Sequence, residues 1–352
     1  MTREPGAFPA DVSVALVTHN NRAALPAAIE SILQTGCPES RITIVDAASS
    51  DGTPEWVARD YPRITLVRLG ANRGPNPGRN DALRRGPTRY VLVMDADVRL
   101  APDTAARLRR AMDAEDVAVA APLVLNASTP DRIQYGGGGL HFIGEAVNAW
   151  QDRAVAERGE GDAEVGAAPG CALLIDSEAA AHVGFFDERY FMGKEDGDFL
   201  HRIRIAGFTI REVGSARVLH DSGPRTTWLF AYQIRNRWHF LLRNYEARTL
   251  LLLAPALAAH EVLQFGVLAA SGHAGAWLRA LAGLVRMLPA LPADRAAVAR
   301  YRRAGDRRLL RDDPLIVRAD LAGGRAGRTF KKAYDAWLRG YWRLVRPMVS
   351  AR

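Results

Sequence analysis

Short apolar runs rich in β-branched residues alternate with helix-like stretches over residues 12–125, and this alternation restricts the fold of the chain more than any other feature. Strand-like runs that are each followed by a segment of helical periodicity are typical of β-α-β units, whose strands lie parallel. The runs are VSVALVT, RITIVDA, ITLVRLG, YVLVMDAD and VAVAAPLVL, and helices are expected at 23–35, from Thr53, at 80–85 and at 102–114. The pattern predicts an α/β domain with a mostly parallel, Rossmann-like sheet covered by helices.

The alternation is interrupted after residue 130 and then resumes. Residues 131–165 are glycine-rich and charged, which favours loops with a small hairpin over the active face. Another strand, CALLIDS, follows, then a helix expected to begin near Glu195 and a strand-like run that ends at His220. We therefore predict a first domain at residues 1–225 and a helical, basic region at residues 226–352.

The composition is that of a globular protein, since 352 residues with 48% hydrophobic and 24% charged side chains can bury a large core. Cys37 and Cys171 are too few for a disulfide framework and are not spaced as a metal-binding pair, which favours a reducing cytosol. No apolar segment long enough for a signal peptide precedes the first strand. These observations predict a protein that starts in the cytoplasm.

Positive charge is concentrated near the C-terminal end. The net charge of the chain is +8, whereas residues 286–352 carry 17 Lys or Arg against 6 Asp or Glu, which is +11 and leaves −3 for the rest. Two apolar stretches, residues 250–270 and 276–292, lie just before or within this region. The first contains Glu261, and a charge at the centre of a bilayer costs about 2.5 to 3.5 kcal/mol, so we expect interfacial or re-entrant helices rather than a clean span.

Apolar helices beside an arginine cluster favour an anionic membrane surface, and not nucleic acid, as the partner of the C-terminal region. A helical subdomain that packs on its own protein is the alternative. Together with the cytoplasmic start, the first interpretation predicts a protein that is peripheral on the inner face of the cell membrane.

Two carboxylates, Asp95 and Asp97, stand where the apolar run YVLVM ends. Side chains at alternate strand positions project the same way, so both carboxylates can reach one divalent cation that also touches substrate phosphates. The pattern alone is weak, because Asp also favours turns and helix caps. The polar residues at the ends of the other predicted strands strengthen the prediction of a metal site.

Polar residues follow several of the predicted strands at the point where each strand ends. Ligands of such sheets bind beyond the carboxyl ends of the strands, and a polar rim there suits a nucleotide diphosphate. We expect Arg73 and Arg79 to pair with phosphate and Asp46 to accept a hydrogen bond from a nucleobase. The residues assigned to nucleotide-sugar binding are Thr18, Asn20, Asp46, Arg73, Arg79, Asn80 and Asp95.

Dinucleotide-dependent dehydrogenases are disfavoured, because THNNRAAL and not a G-x-G-x-x-G loop follows the first strand. The G-x-x-x-x-G-K-[ST] loop of P-loop proteins does not occur in the sequence either. A nucleotidyltransferase that makes sugar nucleotides stays open as an alternative, although THNN is a poor match to its basic phosphate loop. A catalytically silent membrane scaffold is the other alternative, and the intact acidic pairs disfavour it.

A second acidic cluster, Glu195-Asp196-Gly197-Asp198, opens a predicted helix about a hundred residues after the first pair. Acidic residues in a first turn are often only caps. Sugar transfer with inversion, however, needs a carboxylate that accepts the proton of the attacking hydroxyl, which contributes roughly 10² to 10⁴ to the rate. It also needs a cation at the leaving diphosphate. The two acidic clusters can serve these two roles, and His220 at a strand end can complete the metal shell.

Taken in order, these motifs resemble those of family 2 glycosyltransferases with the GT-A fold, particularly the rhamnosyltransferase-like members. The resemblance covers about residues 12–222, and its segments are VALVTHNN, VDAASSDGT, GANRGPNPGRNDAL, VMDADV, VLHDSG and, as the most specific, GFFDERYFMGKEDGDF. The segment YQIRNRWHFLLRNY also resembles the helix that follows the catalytic domain in many members. His19 and Ala47 depart from the usual residues of the family, which leaves the nucleobase open.

The resemblance implies an inverting, metal-dependent hexosyltransferase. Asp95 and Asp97 would hold Mg²⁺ or Mn²⁺ together with the donor diphosphate, and His220 would assist. Asp196 would be the catalytic base, and the two acidic residues that flank it in the cluster, Glu195 and Asp198, would support it.

The implied substrates follow from the same resemblance. Thr18, Asn20 and Asp46 would hold the nucleobase and ribose of a UDP-, dTDP- or GDP-linked sugar. The acceptor would be a hydroxyl of a lipid-linked or polysaccharide acceptor in cell-envelope glycan biosynthesis.

Overall fold

The computed structural model describes residues 7–221, 223, 227–316 and 324–351. A mixed β-sheet with helices on both faces forms the first part of the protein, and helices make up most of the rest. The strands are β1 (Val12–Thr18), β2 (Ile42–Asp46), β3 (Thr65–Arg68), β4 (Tyr90–Asp95), β5 (Val98–Leu100), β6 (Val117–Asn126), β7 (Thr129–Tyr135), β8 (Gly138–Leu140), β9 (Ala146–Asn148), β10 (Ala163–Glu164), β11 (Ala172–Asp176) and β12 (Thr209–His220).

The helices that cover the sheet are interleaved with these strands, and the later helices follow β12 without further strands among the described residues. The helices are α1 (Leu25–Leu33), α2 (Thr53–Asp60), α3 (Asn76–Arg85), α4 (Thr104–Ala111), α5 (Val155–Arg158), α6 (Ser177–His182), α7 (Glu195–Ile205), α8 (Leu229–Asn244), α9 (Ala247–Ala270), α10 (Ala274–Met287), α11 (Leu291–Tyr301), α12 (Asp306–Leu309) and α13 (Gly324–Val345).

The main sheet runs in the order β10-β12-β6-β11-β4-β1-β2-β3, with β5 paired to β12 and β7 to β6. Strands β3, β2, β1 and β4 are parallel, as the repeated β-α-β pattern predicts. Strand β11 enters antiparallel between β4 and β6, so the second half of the sheet is mixed. The interrupted region contributes β7 and β10 to this sheet, and β8 and β9 form the expected small hairpin.

Alternation along the central strands divides the core into two layers. On β4, Leu92 and Met94 pack with α1, α2 and α4, whereas Val91 and Val93 pack with α3, α6 and α7. Burying one such side chain contributes roughly 1.5 to 3 kcal/mol to the stability of the fold. Because both faces of the sheet are buried, the central strands are almost continuous apolar runs in the sequence. The sheet is therefore a rigid base from which the strand ends project.

Helix α3 begins earlier than the sequence predicts. We expected it near residue 80, and it begins at Asn76, because Pro77 lies in the first turn where a missing N–H costs no hydrogen bond. Most of its residues are buried against the sheet and against the loop before α7.

Two apolar helical stretches in the C-terminal region are long and apolar enough to cross a membrane by length and composition. They are Ala247–Ala270 and Ala274–Tyr301, with mean hydropathies of 1.6 and 1.2, and 17% of each apolar window is buried inside the protein. Length and hydropathy are weak evidence for a span, since core helices pass the same test. The predicted domain boundary at residue 225 lies outside the described residues.

Asp198 joins the α/β part to the helical region. Its carboxylate is fully buried and accepts hydrogen bonds from Arg202 Nε at 2.8 Å and from Asn244 Nδ2 at 2.8 Å, and Arg243 Nη1 lies 3.5 Å away. Burial raises the pKa of Asp198, but Arg202 and Arg243 outweigh it and hold this pKa below its ordinary value. The contact fixes α7 to α8.

We predict that Asp198→Asn lowers the free energy of unfolding by about 3 to 5 kcal/mol at neutral pH, because it leaves buried arginines without their carboxylate. Because the pKa of Asp198 is lower in the folded state, its carboxylate stabilises the fold at pH values above its unfolded-state pKa. The loss of unfolding free energy in the variant should therefore shrink as pH falls below about 4. Urea titrations across pH measure it. Asp60→Asn, in the exposed pair with Arg59, is the control and should leave the midpoint unchanged. Equal midpoints for Asp198→Asn and wild type would contradict the prediction.

Candidate active site

Three neighbouring strands bring polar side chains to one edge of the sheet. Thr18 at the end of β1 is in register with Asp46 at the end of β2, and Val17 is in register with Asp95 at the end of β4. Because β1 is parallel to both neighbours, Thr18, Asp46 and Asp95 all lie beyond the carboxyl ends of the strands. This edge is where the sequence analysis expects the nucleotide-sugar.

The pairing of β5 with β12 brings His220 to Asp97. Val98 lies opposite His220, and the Asp221 N–H donates to the Asp97 carbonyl at 3.1 Å. As a result His220 Nε2 lies 3.6 Å from Asp97 Oδ1, while its Nδ1 is 2.8 Å from Gln134 Oε1. Because the Gln134 oxygen is an acceptor, it places the imidazole proton on Nδ1 and leaves Nε2 to face the carboxylate.

Asp196 reaches the same edge through β11. The Gly170 N–H donates to Asp196 Oδ2 at 2.9 Å, and the next residue, Cys171, accepts a hydrogen bond from the Asp95 N–H at 2.9 Å. A Cβ on Gly170 would lie 3.0 Å from Asp196 Cβ, which is tighter than most such contacts, so a glycine suits this position. Asp196 is partly exposed in the first turn of α7.

Arg79 lies beneath these carboxylates, and its pairing with phosphate stays a prediction. Its side chain is 3% exposed, and its Nη2 donates to Asp95 Oδ1 at 3.0 Å and to the Gly170 carbonyl at 3.1 Å. Its Nη1 lies 3.9 Å from Glu195 Oε1. Its Nε and Nη1 are buried without a hydrogen-bond partner, and Asp95 has one oxygen engaged with Nη2.

The acidic groups around Arg79 affect one another's ionisation. Burial and the negative charge of Asp196 raise the pKa of Glu195 to about 7, although Arg79 opposes them. Burial also raises the pKa of Asp95, with Arg79 opposing it and Asp97 adding to it. The carboxylates are therefore close enough to interact, which is the arrangement expected of an active site more often than of a structural ion pair.

A divalent cation would need ligands from outside the protein. Among the residues that the structure describes, no group of three or more His, Cys, Asp or Glu side chains is arranged to hold a metal ion. Asp97 and His220 come nearest, since an oxygen and a nitrogen 3.6 Å apart can share a cation with bonds of about 2.1 Å. Mg²⁺ and similar hard cations usually keep positions for water and substrate phosphates, so these two residues fit a cation held jointly with a diphosphate.

The ends of β1 and β2 offer unpartnered oxygen atoms. Thr18 Oγ1 and Asp46 Oδ1 are buried without a hydrogen-bond partner, while Asp46 Oδ2 accepts from the Ser49 N–H at 2.9 Å. Buried polar atoms are nearly always paired, so two orphaned oxygens side by side point to a ligand that supplies the donors. Asn20 lies beside them with a positive φ of 54°, and its Oδ1 accepts from the Ser50 N–H at 2.8 Å.

Two further predicted residues lie away from open space. Asn80 is fully buried, and its side chain donates to the Phe186 carbonyl at 2.9 Å and accepts from the Phe186 N–H at 2.9 Å, so it anchors α3 and does not meet the donor. Asp198 belongs to the buried contact with Arg202 and Asn244, so it supports the position of α7 rather than the chemistry. Arg73, in contrast, is exposed in the loop before α3.

The sequence analysis did not find the group that holds the start of α7. Lys194, the residue before Glu195, has a left-handed φ of 70°, and its ammonium group pairs with Glu145 and donates to the Gly144 carbonyl at 3.1 Å. Burial raises the pKa of Glu145, but Lys194 and Arg237 outweigh it and lower this pKa to about 2. The partners are some fifty residues apart in sequence, so no local pattern reveals them.

Comparisons of sequence give three findings. The model of the family "Glycosyl transferase family 2" matches residues 13–151. The N-acetylglucosaminyl-diphospho-decaprenol L-rhamnosyltransferase of Mycobacterium tuberculosis is 31% identical over 216 residues, which cover 53% of this chain and 67% of that protein. The succinoglycan biosynthesis protein ExoO of Rhizobium meliloti is 34% identical over 137 residues, which cover 39% of this chain and 38% of that protein.

The fold is shared with solved transferases. The mannosyltransferase PcManGT from Pyrobaculum calidifontis, in complex with GDP-Man and Mn²⁺, superposes with a TM-score of 0.51 over 97% of this chain and 88% of that chain. Sequence identity in this superposition is 19%, so the likeness concerns the fold alone. It confirms the predicted GT-A fold.

We predict that Glu195→Gln stabilises the protein at pH 8 and has little effect at pH 5. The folded state raises the pKa of Glu195 from 4.5 to about 7, so it binds more protons than the unfolded chain between these values. Stability of the wild type must therefore fall as pH rises through this window, and glutamine removes the loss. Urea unfolding at both pH values measures the effect, with Glu55→Gln, whose side chain is 67% exposed, as control. A pH-independent difference would show that this carboxyl does not titrate as described.

Proposed function

This chain belongs to glycosyl transferase family 2, and from that premise we propose that it transfers a sugar, with inversion, from a nucleotide-sugar to a hydroxyl of a lipid-linked or glycan acceptor in cell-envelope glycan biosynthesis. The observation that carries the proposal is that the Asp97–His220 pair and the partly exposed carboxylate of Asp196 meet at one edge of the sheet. The similarity to a rhamnosyltransferase that acts on a decaprenol-linked substrate supports this class of acceptor.

The donor would be held by the ends of β1 and β2. The unpartnered Thr18 Oγ1 and Asp46 Oδ1 would receive hydrogen bonds from the nucleoside, with Asn20 beside them. Arg73 is exposed in the loop before α3, and its guanidinium would pair with phosphate. The donor is a UDP-, dTDP- or GDP-linked sugar in this proposal.

Departure of the nucleoside diphosphate develops negative charge on the leaving oxygen. When bound, Mg²⁺ or Mn²⁺ would neutralise part of that charge, and Asp97 and His220, with Asp95, would hold it. The Gln134 hydrogen bond keeps His220 Nε2 directed at Asp97, so this chain pre-orients the pair before any ligand arrives. Arg79 keeps Asp95 in place from below.

Asp196 would act as the base. Its carboxylate would accept the proton of the acceptor hydroxyl while that oxygen attacks the anomeric carbon from the face opposite the diphosphate, which inverts the configuration. The N–H groups of Gly170 and Gly197 hold its two oxygens at 2.9 and 2.7 Å, so the carboxylate is oriented before the acceptor binds.

The C-terminal region would attach the enzyme to the membrane. Among the described residues, Met192 is the only large hydrophobic side chain before residue 227 that is exposed, whereas residues 227–351 expose many. The latter are Trp228, Leu251, Val262, Phe265, Val267, Leu278, Val285, Leu288, Ile316, Phe330, Trp337, Leu344 and Met348. Exposed apolar side chains on a region that includes the +11 charge of residues 286–352 suit an anionic bilayer surface, so we infer residues 1–225 as the catalytic domain and 226–352 as the attaching region.

Two contacts fix how α9 and α13 lie together. His260 Nδ1 is 2.9 Å from the Tyr334 hydroxyl, and the Tyr341 hydroxyl donates to the Leu252 carbonyl at 2.6 Å, so the helices are antiparallel. This register brings the exposed side chains of the two helices to similar levels along the pair. Such a strip, with basic residues around it, would lie on the cytoplasmic face of the membrane as an interfacial anchor.

We predict that Asp196→Asn and Asp97→Asn each lower turnover by roughly 10² to 10⁴ while the fold is retained, because one loses the proton acceptor and the other a cation ligand. Turnover is measured with UDP-, dTDP- and GDP-sugars in Mn²⁺ or Mg²⁺, and folding by circular dichroism. Asp131→Asn, with a side chain 79% exposed, is the control. Full activity in both variants would end the proposed mechanism.

We predict that the protein sediments with vesicles of anionic phospholipid, and not with neutral ones, and that binding weakens as salt rises. Exposed charges are screened within about 8 Å at physiological ionic strength and within about 3 Å at 1 M. The double variant Phe330→Ser with Trp337→Ser should bind more weakly, and Met192→Ser, on the α/β part, should not. Attachment that resists high salt would indicate a true span instead.

A further inference from the structure

An aromatic cluster stands at the start of α8, next to the segment that leads into the catalytic helix. The rings of Phe191 and Tyr232 are 5.3 Å apart, Phe191 and Trp228 are 6.1 Å apart, and Trp228 and Tyr232 are 5.8 Å apart. We call these three residues, with Met192, the aromatic platform. Trp228 is 47% exposed and Met192 is 37% exposed.

The aromatic platform is held rigidly at the cleft. Asn236 Nδ2 donates to the carbonyls of Met192 and Gly193, at 3.2 and 2.7 Å. On the other side, the Phe191 carbonyl packs against Gly74, where a Cβ would lie 2.0 Å from its oxygen. The platform therefore stands between the loop that carries Arg73 and the first turn of α7, and it is fixed to both the α/β part and α8.

The distance to the proposed base is limited by the chain itself. Phe191 precedes Asp196 by five residues, and five residues span at most about 18 Å even when fully extended. The acceptor hydroxyl must reach Asp196, so the platform begins no more than about 18 Å from the carboxylate at which the acceptor reacts. In the described residues before 227, this is also the one place where a large apolar side chain is exposed.

From this placement we propose that the aromatic platform is the acceptor subsite, and that it binds a sugar ring of the acceptor by stacking on Trp228. The C–H groups on one face of a pyranose carry slight positive charge and pack against the negative face of an aromatic ring, while the hydroxyls at the ring edge stay free to react. The inference rests on the proposed function and deepens it, since it makes the acceptor a glycoside and not a bare lipid alcohol.

The subsite shares no residue with the strip of α9 and α13, although Trp228 is one of the exposed apolar side chains of the C-terminal region. The strip of α9 and α13 carries Leu251, Val262, Phe330 and Leu344, and the platform shares none of them. A lipid chain linked to the acceptor would follow that strip, whereas the sugar that is glycosylated would stay on Trp228. An alkyl chain on the platform would need only an apolar surface, but a sugar ring needs an aromatic one, so the two occupants respond differently to substitution.

The test uses methyl glycosides of glucose, galactose, rhamnose and N-acetylglucosamine, which have no lipid, added to the full chain with nucleotide and the diamagnetic cation Mg²⁺. Saturation-transfer NMR from aromatic protons to sugar C–H protons reports stacking. We expect transfer to at least one glycoside in the wild type, about tenfold weaker binding in Trp228→Ala and Trp228→Leu, and near-normal binding in Trp228→Phe. Trp337→Ala, at a tryptophan of similar exposure on α13 (43%), is the matched control and should bind normally.

Three results would overturn the subsite. They are no transfer to any glycoside in the wild type, equal transfer in Trp228→Ala, and retained binding in Trp228→Leu, which would show that no aromatic ring is needed at this position. Release of nucleotide from the donor in the absence of acceptor is measured in the same samples. If the wild type neither binds nor hydrolyses any nucleotide-sugar, the proposed function fails; if it does and Trp228 is indifferent, the subsite alone fails.

Discussion

The buried guanidinium of Arg79 is the interaction on which the active edge depends. It touches Asp95 and the Gly170 carbonyl and faces Glu195, so it joins α3, β4, the turn before β11 and the start of α7. Without it, several carboxylates would share one partly dry site, and repulsion would force some of them to protonate. A buried lysine can lose its proton, but arginine stays charged at any physiological pH. Arg79 therefore favours the ionised forms of Asp95 and Glu195, although burial still raises the pKa of both carboxyl groups.

Strand pairing completes the arrangement, because it brings together residues that are far apart in the chain. His220 meets Asp97 since β5 pairs with β12, and Asp196 comes near Asp95 since β11 pairs with β4 and Gly170, just before β11, binds Asp196. The local signals that predict these strands are strong, as apolar β-branched runs bounded by polar residues. The βα order, the strand ends and the two acidic clusters could therefore be predicted from the sequence. The apolar runs correspond to β1, β2, β3, β4, β6 and β11, whereas β5, β7 and β10 were not predicted.

The remaining features depend on partners that no local pattern identifies. Arg79 and Asn80 are polar residues after a strand, as ligand-binding residues often are, yet Asn80 is satisfied by Phe186, about a hundred residues later. Asp198 looks like a helix cap and is in fact the acceptor for Asn244 of α8. Residue type and spacing predict which strand or helix end carries a polar side chain. Whether that side chain faces a ligand or a buried partner is decided by tertiary packing, which no local pattern in the sequence reveals.

The C-terminal region shows why hydropathy alone left two interpretations open. Glu261, which argued against a simple span, is paired with Arg237 and accepts hydrogen bonds from Trp238 and Trp277 at 2.8 and 2.6 Å. One side of α9 is thus committed to protein, while Leu251 and Val262 remain exposed. Packing on the protein and contact with lipid therefore use different sides of the same helix and do not exclude each other. Arg237 also faces Glu145, the partner of Lys194 at the start of α7, so a helix proposed to lie on the membrane and the helix that carries the proposed base belong to one ion network.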